Sequence, residues 1–391
     1  MNASLTEFML ILVPAMVAAV LALCGMGYYV LCLWGARNFR RDSRRPLPEY
    51  APPVSILKPL RGVDPRMYES FRSHCLQDYP QYEIIFGVNE PGDPAVEAVH
   101  RLAREFPACK IRLVLCPEIL GNNRKASNLV QMLPQASYGH ILINDSDILV
   151  PPDYLRRIMA HFGRPEVGMV TSPYKGIAAE TLGSKLESIG ISTDFFAGVL
   201  AARQVEKGIH FALGSTLAIS AEALNKIGGM APLVDYLADD YELGNRTSKA
   251  GMEVVMSDLV VETHLPPYNF REFLDHQMRW ARSTRDSRRA GYVGVALTFG
   301  LPWAIFAVLL SAGAWWSWIV LGCAALLRLI LALVVGVGLM HDETVLRRLW
   351  LVPVRDLVAL GVWFGAYAGH EVHWRGEVFV LENGKIRQSG S

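Results

Sequence analysis

The chain has 391 residues, 51% of them hydrophobic and 19% charged, enough for two or three domains and more apolar than a soluble enzyme of this length needs. A formal net charge of +1 excludes a protein that binds nucleic acid through its overall field. Six cysteines with no CxxC pair, two of them (Cys24 and Cys32) inside the first apolar run, fit a reducing compartment without disulfides or zinc.

The apolar excess lies at the two ends. Phe8 to Trp34 carries no charge over 27 residues, more than the roughly 20 that a helix needs to cross a bilayer. No basic stretch precedes it and the run is too long for a cleaved signal, so a membrane anchor is expected. Ala290 to Met340 holds a single charge, Arg328, and has room for two spans broken near Ser311-Ala312-Gly313. Leu349 to Ala368 contains Arg355 and Asp356, so both crossing and re-entry stay open. Arg37, Arg40, Arg41, Arg44 and Arg45 follow the first run, and Arg282, Arg285, Arg288 and Arg289 precede the second. By the positive-inside rule the N-terminus is outside and the whole middle of a multi-pass protein faces the cytoplasm. The bacterial inner membrane is a separate expectation, which the arginines do not decide. The same arginines suit an anionic lipid surface. The expected division is a transmembrane helix (1–36), a cytoplasmic domain (37–289) ending in an interfacial helix at 270–289, a membrane region of two or three hydrophobic helices (290–370) and a tail (371–391).

Within the middle, Pro46 to Pro53 links membrane to domain. Val54–Leu57, Tyr82–Val88, Ile111–Leu115 and His140–Ile143 read as strands, and Tyr68–Leu76, Ala95–Phe106 and the stretch after the polar loop Gly121–Asn128 read as helices. This alternation predicts an α/β domain with a mostly parallel sheet flanked by helices. Ligands bind such sheets at the carboxyl ends of the strands. Asn89–Asp93, Gly121–Lys125 and Asp145–Asp147 all follow strands and can meet at one edge.

Three polar signals carry chemistry. Ile141-Leu142-Ile143-Asn144-Asp145-Ser146-Asp147 ends an apolar strand in two carboxylates one residue apart. They can be aimed at one hard ion, Mg²⁺ or Mn²⁺, which also takes phosphate oxygens and neutralises a departing diphosphate; an ordinary polar turn would look the same in isolation. Asp239-Asp240-Tyr241-Glu242 suits a helix start, where acids are favoured, and also a carboxylate that takes a proton from an acceptor hydroxyl. Asp239 can do the first while Asp240 does the second. His276-Gln277-Met278-Arg279-Trp280 lies on an amphipathic helix from Phe270 to Arg289. Its arginine suits a diphosphate and its tryptophan a flat wall for sugar or acceptor, although an interfacial helix with snorkelling arginines has the same composition.

These residues resemble the family 2-type glycosyltransferases of GT-A (Rossmann-like) fold, with their D, DxD, [E/D]D and [Q/R]xxRW pattern. Pro53-Val54-Ser55-Ile56-Leu57-Lys58-Pro59-Leu60, Gln77-Asp78-Tyr79-Pro80-Gln81-Tyr82-Glu83, Asp93-Pro94-Ala95, Asn123-Arg124-Lys125-Ala126-Ser127-Asn128-Leu129, Ala238-Asp239-Asp240-Tyr241 and Arg279-Trp280 are most similar to ceramide glucosyltransferases (family 21) and bacterial hopanoid-biosynthesis glycosyltransferases. The resemblance covers about Pro52 to Arg289 and the membrane layout. It implies Asp145 and Asp147 at the metal and Asp240 as the base, with Arg279 and Trp280 completing the catalytic set. It places Lys58, Asp93 (or Glu90), Lys125, Asn128, Asp145 and Asp239 on the nucleotide-sugar side, with a helix-capping loop as the other reading of Lys125 and Asn128. His276 stands where the family has Gln or Arg, and Gln277 can substitute from the next position. Gly214-Ser215-Thr216 resembles an acceptor-side turn, or is a simple Gly turn before a strand.

The resulting expectation is a membrane-bound, inverting, metal-dependent enzyme. It moves a sugar, glucose first among the candidates, from a UDP-sugar to a lipid hydroxyl. Ceramide is the first acceptor, with hopanoid and diacylglycerol as alternatives. Two other classes share parts of the pattern. A processive polysaccharide synthase would need more spans to enclose a channel, and a non-catalytic lipid- or nucleotide-binding protein would leave the acidic residues apart in space.

Overall fold

The strands at the centre of the domain are short apolar runs rich in β-branched residues, the composition of strands buried on both faces. In the computed structural model, which describes residues 2–374 and 377–388, they are β1 (Val54–Pro59), β2 (Tyr82–Val88), β3 (Ile111–Leu115) and β4 (His140–Ile143). They are followed by β5 (Ile148–Leu149), β6 (Val167–Thr171), β7 (Tyr174–Ile177), β8 (Leu217–Ser220), β9 (Glu253–Met256) and β10 (Val261–His264). The main sheet has the order β3-β2-β1-β4-β8-β6-β9. Its pairs are parallel except where β8 runs against β4 and β6. A smaller sheet, β5-β10-β7, lies beside it in the same unit.

Alternation along β1 decides the two layers. Val54 and Ile56 point into one apolar core, with Phe71, Leu102, Tyr154 and Leu155 from helices Met67–Cys75, Ala95–Glu105 and Tyr154–Ala160. Leu57 points into the other, with Leu129, Met132, Leu224 and Leu243 from helices Arg124–Met132, Ala221–Lys226 and Asp239–Lys249. This is the α/β architecture that the alternation of elements predicts.

The chain divides into two compact units. The sheet unit comprises Arg41–Ala179 and Glu206–Pro266 and recovers the chain near its end. The chain leaves it for Glu180–Val205 and again for Pro267–Trp374, the latter closing with β11 (Glu371–Trp374). It returns as a hairpin, β12 (Glu377–Glu382) and β13 (Lys385–Gln388). The hairpin is stitched to the segment before helix Asp239–Lys249. Leu237 N–H donates to Gly384 O at 3.1 Å and Ile386 N–H to Asp235 O at 2.8 Å. Lys385 and Arg246 both lie over the Tyr236 ring. Glu377 pairs with Arg61 at 2.9 Å.

The second unit holds α1 (Asn2–Asp42) up to Arg40, the helices of Glu180–Val205 and the chain from Pro267. The division expected from the sequence places 180–205 inside the middle domain. Helices Leu182–Gly190 and Phe196–Val205, joined by a π turn at Ile191–Phe195, bury Leu186, Ile189, Phe196 and Leu200 instead among the apolar helices. Among the described residues, Leu12–Asp42 and Trp315–Val337 are long and apolar enough to cross a membrane. A third span exists if Arg289–Thr298 and Gly300–Leu310, bent by 58°, count as one. The break expected near Ser311–Gly313 is present, with Ala312 and Gly313 at positive φ. Helix Leu351–Gly365, with 15 residues, rises only about 22 Å, short of the roughly 30 Å of a hydrocarbon core.

Within this unit α1 approaches helix Gly300–Leu310 through small residues. A Cβ on Gly25 would stand 2.2 Å from Gly300 Cα. Ala22 packs with Ala304 and Ala324, and Ala18 and Ala19 with Ala307. Where lipid removes the hydrophobic drive between helices, close packing of this kind supplies the attraction. Gly25→Ala is expected to destabilise the protein by about 1–3 kcal/mol through overpacking. Gly27→Ala, whose Cβ meets nothing within 4 Å, should be neutral. Thermal unfolding of both variants in detergent checks this, and equal melting temperatures would refute the packing argument.

Candidate active site

β1 and β4 are parallel neighbours, so the residues that follow them emerge at one edge of the sheet. After β4 the chain turns through Asn144, Asp145, Ser146 and Asp147, and each is held in place. Asn144 is buried and donates to Ser215 O at 2.6 Å and to the Tyr154 hydroxyl at 3.0 Å. The Ser146 hydroxyl donates to the Asp64 carboxylate. Lys58, near the end of β1, is fully buried and donates from Nζ to the Asp145 carbonyl at 2.9 Å. Burial pushes its ammonium down to about 7, against the pull of Asp147 and Asp145. Asp147 accepts from the Thr263 hydroxyl of β10 at 2.5 Å. Loss of hydration, and then the Asp145 charge, push the Asp147 carboxyl up to about 6. Asp145 is the open member of the pair, its side chain 42% exposed.

Helix Arg124–Met132 begins beside this turn, with Asn123 as its cap accepting from Ala126 N–H at 3.0 Å. The loop before it is fastened to the segment that leads into helix Asp239–Lys249. Asn123 N–H donates to Val234 O, the Asn123 amide donates to Tyr236 O and Asp239 Oδ1, and Asp235 accepts twice from Asn122. Gly121 is required here because a Cβ would lie 2.5 Å from Val234 O. This stitching delivers Lys125. Its Nζ stands 2.7 Å from Asp145 Oδ1 and 3.8 Å from Asp239 Oδ2. Burial works against its charge, but Asp145 and Asp239 raise its pKa and hold it protonated.

Asp240 follows on the same helix start, its Oδ1 accepting from Tyr241 N–H at 2.8 Å. It is half-buried. Loss of hydration and the adjacent Asp239 push its carboxyl up to about 6, with Lys125 pulling down. A Cβ on Gly214 would lie 3.0 Å from Asp240 Oδ2 and 3.8 Å from Asp145 Oδ2. Both carboxylates therefore stand beside the same glycine, where a larger residue would crowd Asp240.

The structure brings Lys58, Lys125, Asp145, Asp147, Asp239 and Asp240 together. It places Asp93, Glu90 and Asn128 differently. The Asp93 carboxylate accepts from Gly62 N–H and from Ala95 N–H at 2.8 Å, tying a loop to a helix start, while Glu90 is exposed. Asn128 exchanges amide hydrogen bonds with Asn89 at the end of β2 and is 2% exposed, so it positions the loop from below. Asp64, Thr263 and Asp235 had no local signal in the sequence; only strand order carries them here.

The remaining candidates lie in the other unit, on helix Phe270–Ser287, which Asn269 and Glu272 open with a capping box. Neither residue proposed for the first position of its motif is open. His276 pairs with the buried Glu187 at 2.9 Å and stacks on Tyr268, and Gln277 is buried and accepts from Arg355 at 2.9 Å. Arg279 and Trp280 are half-buried, Trp280 with its ring centroid 5.9 Å from that of Phe195.

The donor set decides how a divalent ion would fit. Among the described residues no three His, Cys, Asp or Glu side chains converge as a preformed cage. Asp145 offers an open carboxylate, and Mg²⁺ or Mn²⁺ held by one carboxylate and by diphosphate oxygens needs no more from the protein. The residues fit an ion that arrives with its phosphate.

A mostly parallel sheet with the acidic turn at its carboxyl edge is GT-A-like. The fold is shared with the mannosyltransferase PcManGT from Pyrobaculum calidifontis, solved in complex with GDP-Man and Mn²⁺. The TM-score is 0.59 at 19% identity over 90% of this chain and 99% of that one. The family model for glycosyl transferase family 21 matches residues 17–387, and the chain belongs to that family. Relatives include ceramide glucosyltransferase 3 of Caenorhabditis elegans, 28% identical over 232 residues, 59% of this chain and 50% of that protein. The ceramide glucosyltransferase of Komagataella phaffii is 30% identical over 149 residues, 35% of this chain and 29% of that protein. The match thus spans half or less of the length of these curated relatives.

Lys125→Met would leave three carboxylates without their cation. Lys125 lowers the Asp240 pKa, so its loss raises that value further, and the ionised form becomes the destabilised one. The variant should therefore lose more thermal stability at pH 8, where Asp240 must ionise, than at pH 5, where it stays protonated. Equal losses at the two pH values would show that Lys125 acts by packing alone.

Proposed function

We propose that this protein is a membrane-bound glycosyltransferase that moves one sugar from a UDP-sugar to the hydroxyl of a membrane lipid with inversion at the anomeric carbon. The observation that carries the reading is the meeting of Asp145, Asp239 and Asp240 around Lys125 at the carboxyl edge of the sheet. A non-catalytic protein has no need to hold three acids on one cation, and the arrangement leaves one of them, Asp240, poised near neutral pH.

Asp240 is the base. It takes the proton of the lipid hydroxyl as that oxygen attacks the anomeric carbon, and the bond from that carbon to the diphosphate breaks, its electron pair leaving with UDP. A carboxyl raised to about 6 is a stronger acceptor than an ordinary aspartate and is still ionised at pH 7. Asp145 would hold the divalent ion, whose contribution is to offset charge on the diphosphate. Lys125 adds a fixed positive charge beside it, and Lys58 and Thr263 fix the turn that presents Asp145. Arg279 and Trp280 carry the family's last motif and by that motif are assigned to the leaving group and the acceptor. The arginines that flank the middle of the chain support a cytoplasmic sheet unit. The relatives' name supports ceramide as the first acceptor and glucose as the first sugar to try.

Purified protein with C6-ceramide, diacylglycerol or a hopanoid and a series of UDP-sugars, read by mass spectrometry, tests the reading. A single added hexose supports it, and a ladder of additions would make the enzyme a polysaccharide synthase. Chelation should abolish transfer and Mn²⁺ or Mg²⁺ should restore it; full turnover in metal-free buffer would remove the ion from the mechanism.

Asp240→Asn keeps the size of the side chain and removes the proton acceptor, so transfer should fall roughly 10²–10⁴-fold with little change in UDP binding. The wild-type kcat/KM should decline below about pH 6, because a raised pKa leaves the base protonated over a range where an ordinary aspartate would be ionised. A near-normal rate for Asp240→Asn with a dead Asp239→Asn would transfer the role to Asp239.

A further inference from the structure

The unit that contains the apolar helices gathers four ionisable side chains, three of them buried, in one network, and none of them has a part in the chemistry above. Arg328, on helix Trp315–Leu331, is 3% exposed. It grips both oxygens of Asp356, at 2.7 and 2.8 Å, and reaches Asp194 at 2.5 Å and the Thr193 hydroxyl at 3.1 Å. Arg355 is 8% exposed and donates from Nη2 to Gln277, with its Nε 3.6 Å from Asp194 Oδ2. Asp194 sits in the π turn between two helices, and its side chain, 29% exposed, is where the network opens.

Charges among apolar helices are expensive and as a rule serve a function. These are also incompletely satisfied. Arg328 Nη1, Arg355 Nε and Nη1 and Asp194 Oδ2 are buried without a hydrogen-bond partner, an arrangement that native proteins avoid unless something else supplies the bond. The network also touches the Arg-Trp motif helix at two points of one face. Arg355 holds Gln277, and Phe195, next to Asp194, meets Trp280 one turn further on. Tyr268 and His276 continue that aromatic row.

We propose that this network binds the headgroup of the lipid acceptor and selects for an uncharged one. The proposal rests on reading the protein as a lipid glycosyltransferase. Two arginines and two aspartates cancel. A neutral headgroup with hydroxyl or amide groups donates to Asp194 Oδ2 and accepts from the free arginine N–H groups without disturbing that balance. A phosphate would add uncompensated negative charge in a site of low dielectric. The acidic and basic members therefore select by charge, and the aromatic row accommodates the apolar body of the lipid.

The test uses full-length protein in nanodiscs and two matched probes, C6-ceramide and its 1-phosphate. The wild type should bind the neutral probe at least about tenfold more tightly. Asp194→Asn removes one negative charge and the strong acceptor, so affinity for C6-ceramide should fall about tenfold and the acceptor KM should rise to match, the loss typical of a hydrogen bond to a charged group. Donor binding should hold, and the phosphorylated probe should gain relative to the neutral one, a change of preference that a merely structural role would not produce. Arg355→Lys, which keeps the charge but loses the fork of donors, is the second variant should the first fail to fold; it should weaken the neutral probe without favouring the phosphate. Unchanged affinity, KM and preference in a folded variant would make the network a structural strut and overturn the proposal. Asp194-dependent binding of C6-ceramide by a protein that transfers no sugar would uphold it and refute the enzymatic reading instead.

Discussion

The Lys125 ammonium stands within 2.7 Å of Asp145 and 3.8 Å of Asp239, and it lowers the pKa of Asp240 as well. Three carboxylates so close together are tolerable only around a positive charge. Much of the sheet unit serves to hold that cation in place. Gly121 lets its loop touch the segment at Val234, Asn122 and Asn123 fasten the two together, and the Asn89–Asn128 pair props the helix that bears it. Lys58 fixes the Asp145 backbone from within the sheet. The consequence for chemistry is that the charge on Asp240, the proposed base, is adjustable. Asp240 lies between repulsion from Asp239 and attraction to Lys125, so a diphosphate or a metal ion arriving beside Asp145 acts on the same balance.

The central strands and the acidic edge were legible because their signals are local. Val54–Leu57, Tyr82–Val88, Ile111–Leu115 and His140–Ile143 are apolar runs that end in polar turns, and Asp145 and Asp240 stand at the end of a strand and the start of a helix. The later strands are short and weakly patterned, and β8 runs against its neighbours, which no single segment announces. Asp64, Thr263 and Asp235 reach the site through the order of strands, a property of the whole chain. The same limit explains Leu182–Val205. An apolar helical stretch looks alike whether it covers a sheet or joins a bundle of membrane helices, and only packing decides. His276 and Gln277 matched a motif by position, but their side chains are taken by Glu187 and Arg355, partners 89 and 78 residues distant in the chain.

The two units solve the burial of charge in contrasting ways. In the sheet unit one cation is shared by three acids, leaving an excess of negative charge at an open edge where a cationic metal can approach. Among the apolar helices Arg328, Arg355, Asp194 and Asp356 cancel. In the proposed function the first arrangement draws in a charged donor and the second favours an uncharged lipid.

The hairpin β12–β13 has a consequence for how the molecule comes into being. Its hydrogen bonds to Asp235 and Leu237 brace the segment that carries Asp239 and Asp240, yet it is made from the last residues described, about 150 positions later in the chain. A ribosome has made the strands of the main sheet long before, and among the described residues every apolar helix precedes the hairpin in the chain. Contacts so distant in sequence form late. The sheet unit therefore gains this brace only after the apolar helices have been synthesised, so Asp239 and Asp240 are braced late, by a segment that must return past all of them.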